Sequence, residues 1–186
     1  MSDPASGISK ELFKRHHYAS LYVQHTIDKA DNQLYPTNGI RLHSFIGYTK
    51  ALNNAYPEKF LRFGSALSFY IPVNKSIVIA HRTGFETNNG TYAFYDASTL
   101  GFKTNLRGFR AMRFSGKTAF YQNTELRIRL SDVKGYIFRG KLGMFAFLDD
   151  GRVWAPGEKS GKLHIGFGGG IYFSPFNKLS LVFEYG

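Results

Sequence analysis

The sequence predicts an all-β fold: a transmembrane, antiparallel, up-and-down β-barrel of about eight strands interrupted by one long loop. Composition is the first reason. Beside 18 Phe, 12 Tyr and 20 Gly stand a single Trp and no Cys, and aromatic, Gly-punctuated chains with few long helical patterns build sheets. Patterning is the second, since segments of about 10–14 residues alternate apolar and polar side chains, and a tilted strand needs roughly 9–11 to cross a bilayer. The third is that connections between segments alternate between brief and long. Alternation alone also fits a soluble barrel, with the apolar face packed inward. Segment length, connection lengths and the placing of Gly166, Gly168 and Gly170 on a polar face favour the membrane form.

In chain order, residues 1–15 are polar and weakly patterned, an N-terminal arm or expression remnant in which Ile8–Arg15 has at most a helical turn or two; residues 16–186 are the barrel. Tyr18–Ile27 alternates and stops at the polar turn Asp28–Gly39, where Pro36 and Gly39 break the pattern. Ile40–Lys50 follows, then a polar loop through Asn53, Asn54 and Pro57. Leu61–Ile71 is the cleanest strand: Leu61, Phe63, Leu67, Phe69 and Ile71 share one face, and Arg62, Gly64, Ser68 and Tyr70 the other. Pro72–Lys75 turns the chain into Ser76–Thr87. After the long loop, Thr118–Ser131 sets Phe120, Leu126, Ile128 and Leu130 against Tyr121, Asn123, Glu125, Arg127 and Arg129. Ile137–Asp149 sets Phe138, Leu142, Met144 and Leu148 against Arg139, Lys141, Phe147 and Asp149. Lys162–Ser174 places Leu163, Ile165, Phe167, Ile171 and Phe173 opposite His164, Tyr172 and three glycines, and Leu179–Tyr185 ends the series.

The long loop, Asn88–Gly116, has about 29 residues, and loops of that length inside a compact domain are usually functional or disordered. It carries Leu106-Arg107-Gly108-Phe109, a cationic and aromatic tip. Glu125, on the polar face of the next strand, is a suitable counter-charge.

Several function classes are excluded or disfavoured. The net charge of +11, from 24 basic and 13 acidic residues, is spread at period two along strands rather than gathered on one helix or arm, so no nucleic-acid partner is expected. An anionic lipid surface or a polar barrel interior accounts for it. Without Cys there is no disulfide framework or thiolate metal site. No apolar run reaches the roughly 18 residues of a membrane-spanning helix. His16, His17, His25, His43, His81 and His164 lack ligand spacing, so no metal is expected. The turn with Asp28, Asp31 and Asn32 lacks the Gly and terminal Glu of a calcium loop. Gly157–Lys162 has the wrong spacing for a phosphate loop, and Leu163 stands where Ser or Thr is needed. Gly166–Gly170 lies in mid-strand and opens no helix, so it is not a dinucleotide fingerprint. No local nucleophile signature is present, and neither enzymatic activity nor a cofactor is expected.

Leu106-Arg-Gly-Phe109, preceded by Leu100-Gly101, resembles the arginine-glycine-phenylalanine motif of the BamA-type outer-membrane assembly superfamily, the bacterial surface antigen family. Further landmarks are similar in the same order: the Asp28–Gly39 turn, Gln122–Arg127, Phe147-Leu-Asp-Asp-Gly151 followed by Val153-Trp154, and the Gly-rich hairpin His164–Pro175. The run Arg107–Leu130 is especially close to the branch seen in Bacteroidetes-type bacteria. The resemblance implies an outer-membrane barrel whose long loop folds inward. Arg107 would then pair with Glu125 and Asp149, Gly108 would make a tight turn, and Phe109 would pack on the inner wall. It implies a role assisting insertion or translocation of proteins, with the lipid bilayer, lipopolysaccharide and unfolded outer-membrane proteins as partners. The alternative is a minimal structural or anchoring barrel without that activity. Full family members have sixteen strands after a set of repeat domains, whereas this sequence offers about eight and no repeats, so the expectation is a short form or a piece of something larger.

Overall fold

The computed structural model describes residues 17–52, 58–135, 139–155, 157, 161–175 and 179–186. The arm at 1–15, His16, the loop positions Asn53, Asn54 and Pro57, the residues Ile137 and Phe138, and residues 158–160 of the Gly157–Lys162 segment lie outside the described residues.

Eight antiparallel strands form one sheet. In chain order they are β1 (Tyr18–Asp28), β2 (Gly39–Ala51), β3 (Lys59–Pro72) and β4 (Ile77–Thr91), then β7 (Thr118–Lys134), β8 (Arg139–Trp154), β9 (His164–Pro175) and β10 (Leu181–Tyr185). Each pairs with its neighbour in sequence, as an up-and-down meander does. Between β4 and β7 a single 3₁₀ turn (Phe94–Asp96) leads into a separate two-stranded hairpin of β5 (Ser98–Leu100) and β6 (Phe114–Gly116). The long loop is therefore shorter and more ordered than its sequence suggests. β4 continues to Thr91, and the hairpin closes on its own core, in which Leu100 and Leu106 are fully buried against Ala119.

Strand lengths differ from expectation in the same sense elsewhere. β7 continues to Lys134 across a register shift between Arg129 and Ser131, and β8 does not end at Asp149 but runs to Trp154. The group Asp149-Asp150-Gly151 looks like a strand-ending turn in isolation. Thr118–Gln122 at the start of β7 nonetheless needs a ladder partner, and residues Asp150–Trp154 supply it.

The two faces are sharply different. Ile46, Met144, Leu148, Phe167 and Ile171 lie on the apolar face and are all exposed, Phe167 by 74%. Gly143, Phe145, Phe147, Asp149 and Gly151, on the opposite face of β8, are buried. Large exposed apolar surface of this extent belongs to a membrane or a partner rather than to water. The apolar face is thus the exposed one, the reverse of a soluble barrel with its apolar face inside.

On the charged face, glycines sit directly opposite aromatics on the neighbouring strand. Gly84 pairs in register with Tyr121, and Gly143 with Tyr172. A Cβ at Gly84 would lie 2.5 Å from the Tyr121 ring, and one at Gly143 only 2.3 Å from Tyr172. Rings folded flat over glycines let the sheet coil tightly. The coil is strong enough for the turn between β1 and β2 to reach across the charged face. Tyr35 of that turn stacks on Tyr172 of β9 with ring centroids 4.0 Å apart. Among the described residues β1 pairs only with β2, and β10 only with β9, so the sheet has two open edges.

Candidate functional site

The site is built where the long loop meets the charged face of β7 and β8. Glu125 and Arg127 sit two residues apart on β7 and so share a face, and Asp149 comes from the same face of β8. The loop delivers Arg107 to them from the opposite side. Its tip is shaped by local bonds: the Asn105 carboxamide accepts from the Gly101 N–H at 2.9 Å and donates to the Thr99 carbonyl at 2.8 Å. Gly108 follows with φ +83°, a left-handed conformation that non-glycine residues rarely hold. Asn123 of β7 fastens the tip from below, donating to the Asn105 carbonyl at 2.9 Å.

Arg107 is almost fully engaged. Its Nε donates to Asp149 Oδ2 at 2.8 Å and its Nη2 to Asp149 Oδ1 at 2.9 Å, a bidentate fork. The Arg107 backbone N–H adds a third bond to Asp149 Oδ2 at 3.0 Å. Nη1 donates to Glu125 Oε2 at 2.6 Å, and the guanidinium lies 3.8 Å over the Phe147 ring. Asp149 is 0% exposed. The second oxygen of Glu125 accepts from Arg127 Nε at 2.6 Å. Arg127 in turn donates to the Pro36 carbonyl at 2.9 Å and covers the Tyr35 ring at 4.1 Å.

One continuous ionic chain thus runs Asp149–Arg107–Glu125–Arg127 and ends on the turn between β1 and β2. Two cations and two carboxylates balance, which is how charge is tolerated in a buried place. The chain ties the loop at one end of the strands to a turn at the other. A bridge of this kind holds a shape and presents no nucleophile or open coordination position. Among the described residues no three His, Asp or Glu side chains gather as a metal site.

Of the residues singled out in the sequence, Arg107, Glu125 and Asp149 come together in this network. Phe109 packs edge-on against Phe114 at 5.2 Å and His164 at 6.2 Å, beside the hydrophobic cluster of Leu100 and Leu106. Gly166 matters as much as Gly108, because a Cβ there would lie 2.1 Å from the Arg107 carbonyl oxygen. Sequence reasoning missed Arg127, Tyr35 and Phe147 as members. Arg127 had a readable signal, its two-residue spacing from Glu125 on one strand face. Tyr35 had none, since its partners are more than ninety positions away.

The turn that carries Tyr35 is itself internally fastened. Asp31 accepts from the Thr37 hydroxyl, from the Thr37 N–H at 2.8 Å and from the Asn38 N–H at 3.1 Å. Burial pulls this carboxyl upward, but those hydrogen bonds outweigh it and hold it below the ordinary carboxylate range.

Comparison with known proteins agrees with this architecture. The sequence model of the Omp85 superfamily domain matches residues 8–184. Among solved structures, the fold is similar to BamA from Haemophilus ducreyi lacking POTRA domains 1-3, with a TM-score of 0.67 at 18% sequence identity. That match covers 89% of this chain and 38% of the other, so this chain spans well under half of that protein's length. No protein of curated function matches. The strand order, the two-faced sheet and the match along 8–184 lead to one assignment: the chain belongs to the Omp85 superfamily.

Proposed function

We propose that the chain forms a curled transmembrane barrel wall, with residues 16–186 as its membrane unit and the long loop folded into the lumen, that assists insertion or translocation of proteins at the bacterial outer membrane. The observation that carries this reading is a pairing of opposites within one sheet. Its middle is locked by the Arg107–Asp149–Glu125 bridge, while its two edges, β1 and β10, have unpaired backbone groups among the described residues. An open edge beside a rigid wall is a template for adding a client strand by β-augmentation. The exposed apolar face would meet lipid, with lipopolysaccharide packed around its outer-leaflet half, and unfolded outer-membrane proteins would be the clients.

The test is an insertion assay with an unfolded client barrel and liposomes, with and without the refolded chain. Faster client folding in its presence is the expected result. A client rate unchanged by the chain would refute the insertion role. That outcome would favour a structural or anchoring barrel, a reading consistent with a site made wholly of mutually satisfied charges.

A further inference from the structure

At the short-turn end of the charged face lies a cavity of about 370 Å³ that the ionic bridge does not use. The β1–β2 turn, the β3–β4 turn and the facing parts of β7, β8 and β9 enclose it. Four cations line it: Lys75, Arg127, Arg129 and Lys141. Arg127 is matched by Glu125, and Arg129 bonds the Lys75 carbonyl at 2.7 Å and approaches Asp132 at 3.7 Å. The Lys75 and Lys141 ammonium groups have no hydrogen bond or ion pair among the described residues. Asp132 faces Lys141 in the ladder, yet its carboxylate lies with Arg129. Among the described residues Asp31 is the one acidic residue on the cavity wall, and its oxygens are occupied within its own turn. Tyr35 also lines the wall through its ring, while its hydroxyl is cut off from solvent and has no hydrogen-bond partner among the described residues.

The wall therefore offers unused donors and surplus positive charge. A compact anion with several acceptor oxygens satisfies both. Arg127, Arg129, Lys141 and Tyr172 all sit on the face opposite the exposed apolar one, so the acyl chains of a surrounding lipid do not reach this place. We infer that this cavity binds the phosphate group of a small soluble phosphate ester, held by Lys75, Lys141 and Arg129. The volume leaves room for a short organic substituent beside the phosphate.

Calorimetric titration of the chain, refolded in zwitterionic detergent, with inorganic phosphate and with glycerol phosphate tests this at constant ionic strength. Saturable binding of glycerol phosphate is expected. The Lys75→Gln/Lys141→Gln double variant should weaken it about tenfold or more, two charge-assisted contacts being lost. Lys50→Gln/Lys59→Gln removes the same charge at the far end of the strands and should leave affinity unchanged. Lys75→Gln alone, at an exposed turn position, should weaken binding without moving the melting point, which preserves the test if the double lysine variant fails to fold. No saturable heat, equal weakening in the two double variants, or binding only to phosphatidic acid in nanodiscs would each overturn the assignment.

Discussion

Replacing Arg107 with Ala is the sharpest perturbation the structure offers. The substitution keeps the backbone N–H on Asp149 but removes both arms of the fork and the bond to Glu125. Glu125 retains Arg127 at 2.6 Å, so it is only partly deprived. Asp149 is left worse, a 0%-exposed carboxylate with its counter-charge gone. Breaking a buried pair from one side costs about 3–5 kcal/mol because the survivor cannot be resolvated. For a chain of this size that corresponds to a fall of roughly 6–20 °C in melting temperature. The assay is heat-dependent gel mobility of the chain refolded in detergent, read beside circular dichroism. Arg107→Lys, which keeps charge but not the fork, should fall between. Combining Arg107→Ala with Asp149→Asn should recover part of the loss, since the stranded charge is then removed. If Arg107→Ala melts within about 2 °C of the parent chain, the bridge is not what holds the loop on the sheet.

Three further expectations follow from the same geometry. Gly166→Ala places a methyl group where the Arg107 carbonyl now sits, so the loop tip should lift and trypsin should cut after Arg107 and Arg110 several-fold faster; an unchanged cleavage pattern would count against close docking. Tyr35→Ala removes a ring stacked between Tyr172 and the Arg127 guanidinium and should destabilise by about 1–3 kcal/mol in urea titration, whereas Tyr35→Phe should not. Because the folded Asp31 carboxyl sits below its unfolded value, its contribution is present at neutral pH and disappears as pH falls below about 4. The near-ultraviolet circular dichroism of the turn aromatics should lose intensity in that window, and Asp31→Asn should flatten the acid limb; an identical acid midpoint in the variant would remove Asp31 from the account.

Period-two patterning made the meander legible because each strand sets an apolar face against a polar one, and the structure keeps that division most plainly in β8 and β9, while the edge strands β1 and β10 expose both faces. Glu125 and Asp149 could be placed on one face from parity alone. Parity carries no information about where strands end, since a ladder continues until its partner does; hence Asp150–Trp154 of β8 and Asp132–Lys134 of β7 were unreadable. The ordered hairpin inside the long loop was hidden for a different reason. Ser98–Leu100 and Phe114–Gly116 are each too short to show a period and are fixed by burial of Leu100 and Leu106. The reach of Tyr35 across to β9 depends on how far the sheet coils, a global property that no local window contains.

The rings laid over glycines have a consequence for how the chain tolerates inherited change. At Gly143 and Tyr172, or at Gly84 and Tyr121, two positions far apart in sequence share a single volume. Alanine at either glycine alone collides with its ring, and removing either ring alone opens a gap above a bare backbone. Only the paired exchange, a larger residue for the glycine together with a smaller one for the aromatic, keeps the space filled. Substitutions here should therefore be strongly epistatic, each harmful by itself and acceptable as a couple. Among relatives the two members of a pair should trade bulk back and forth as a unit.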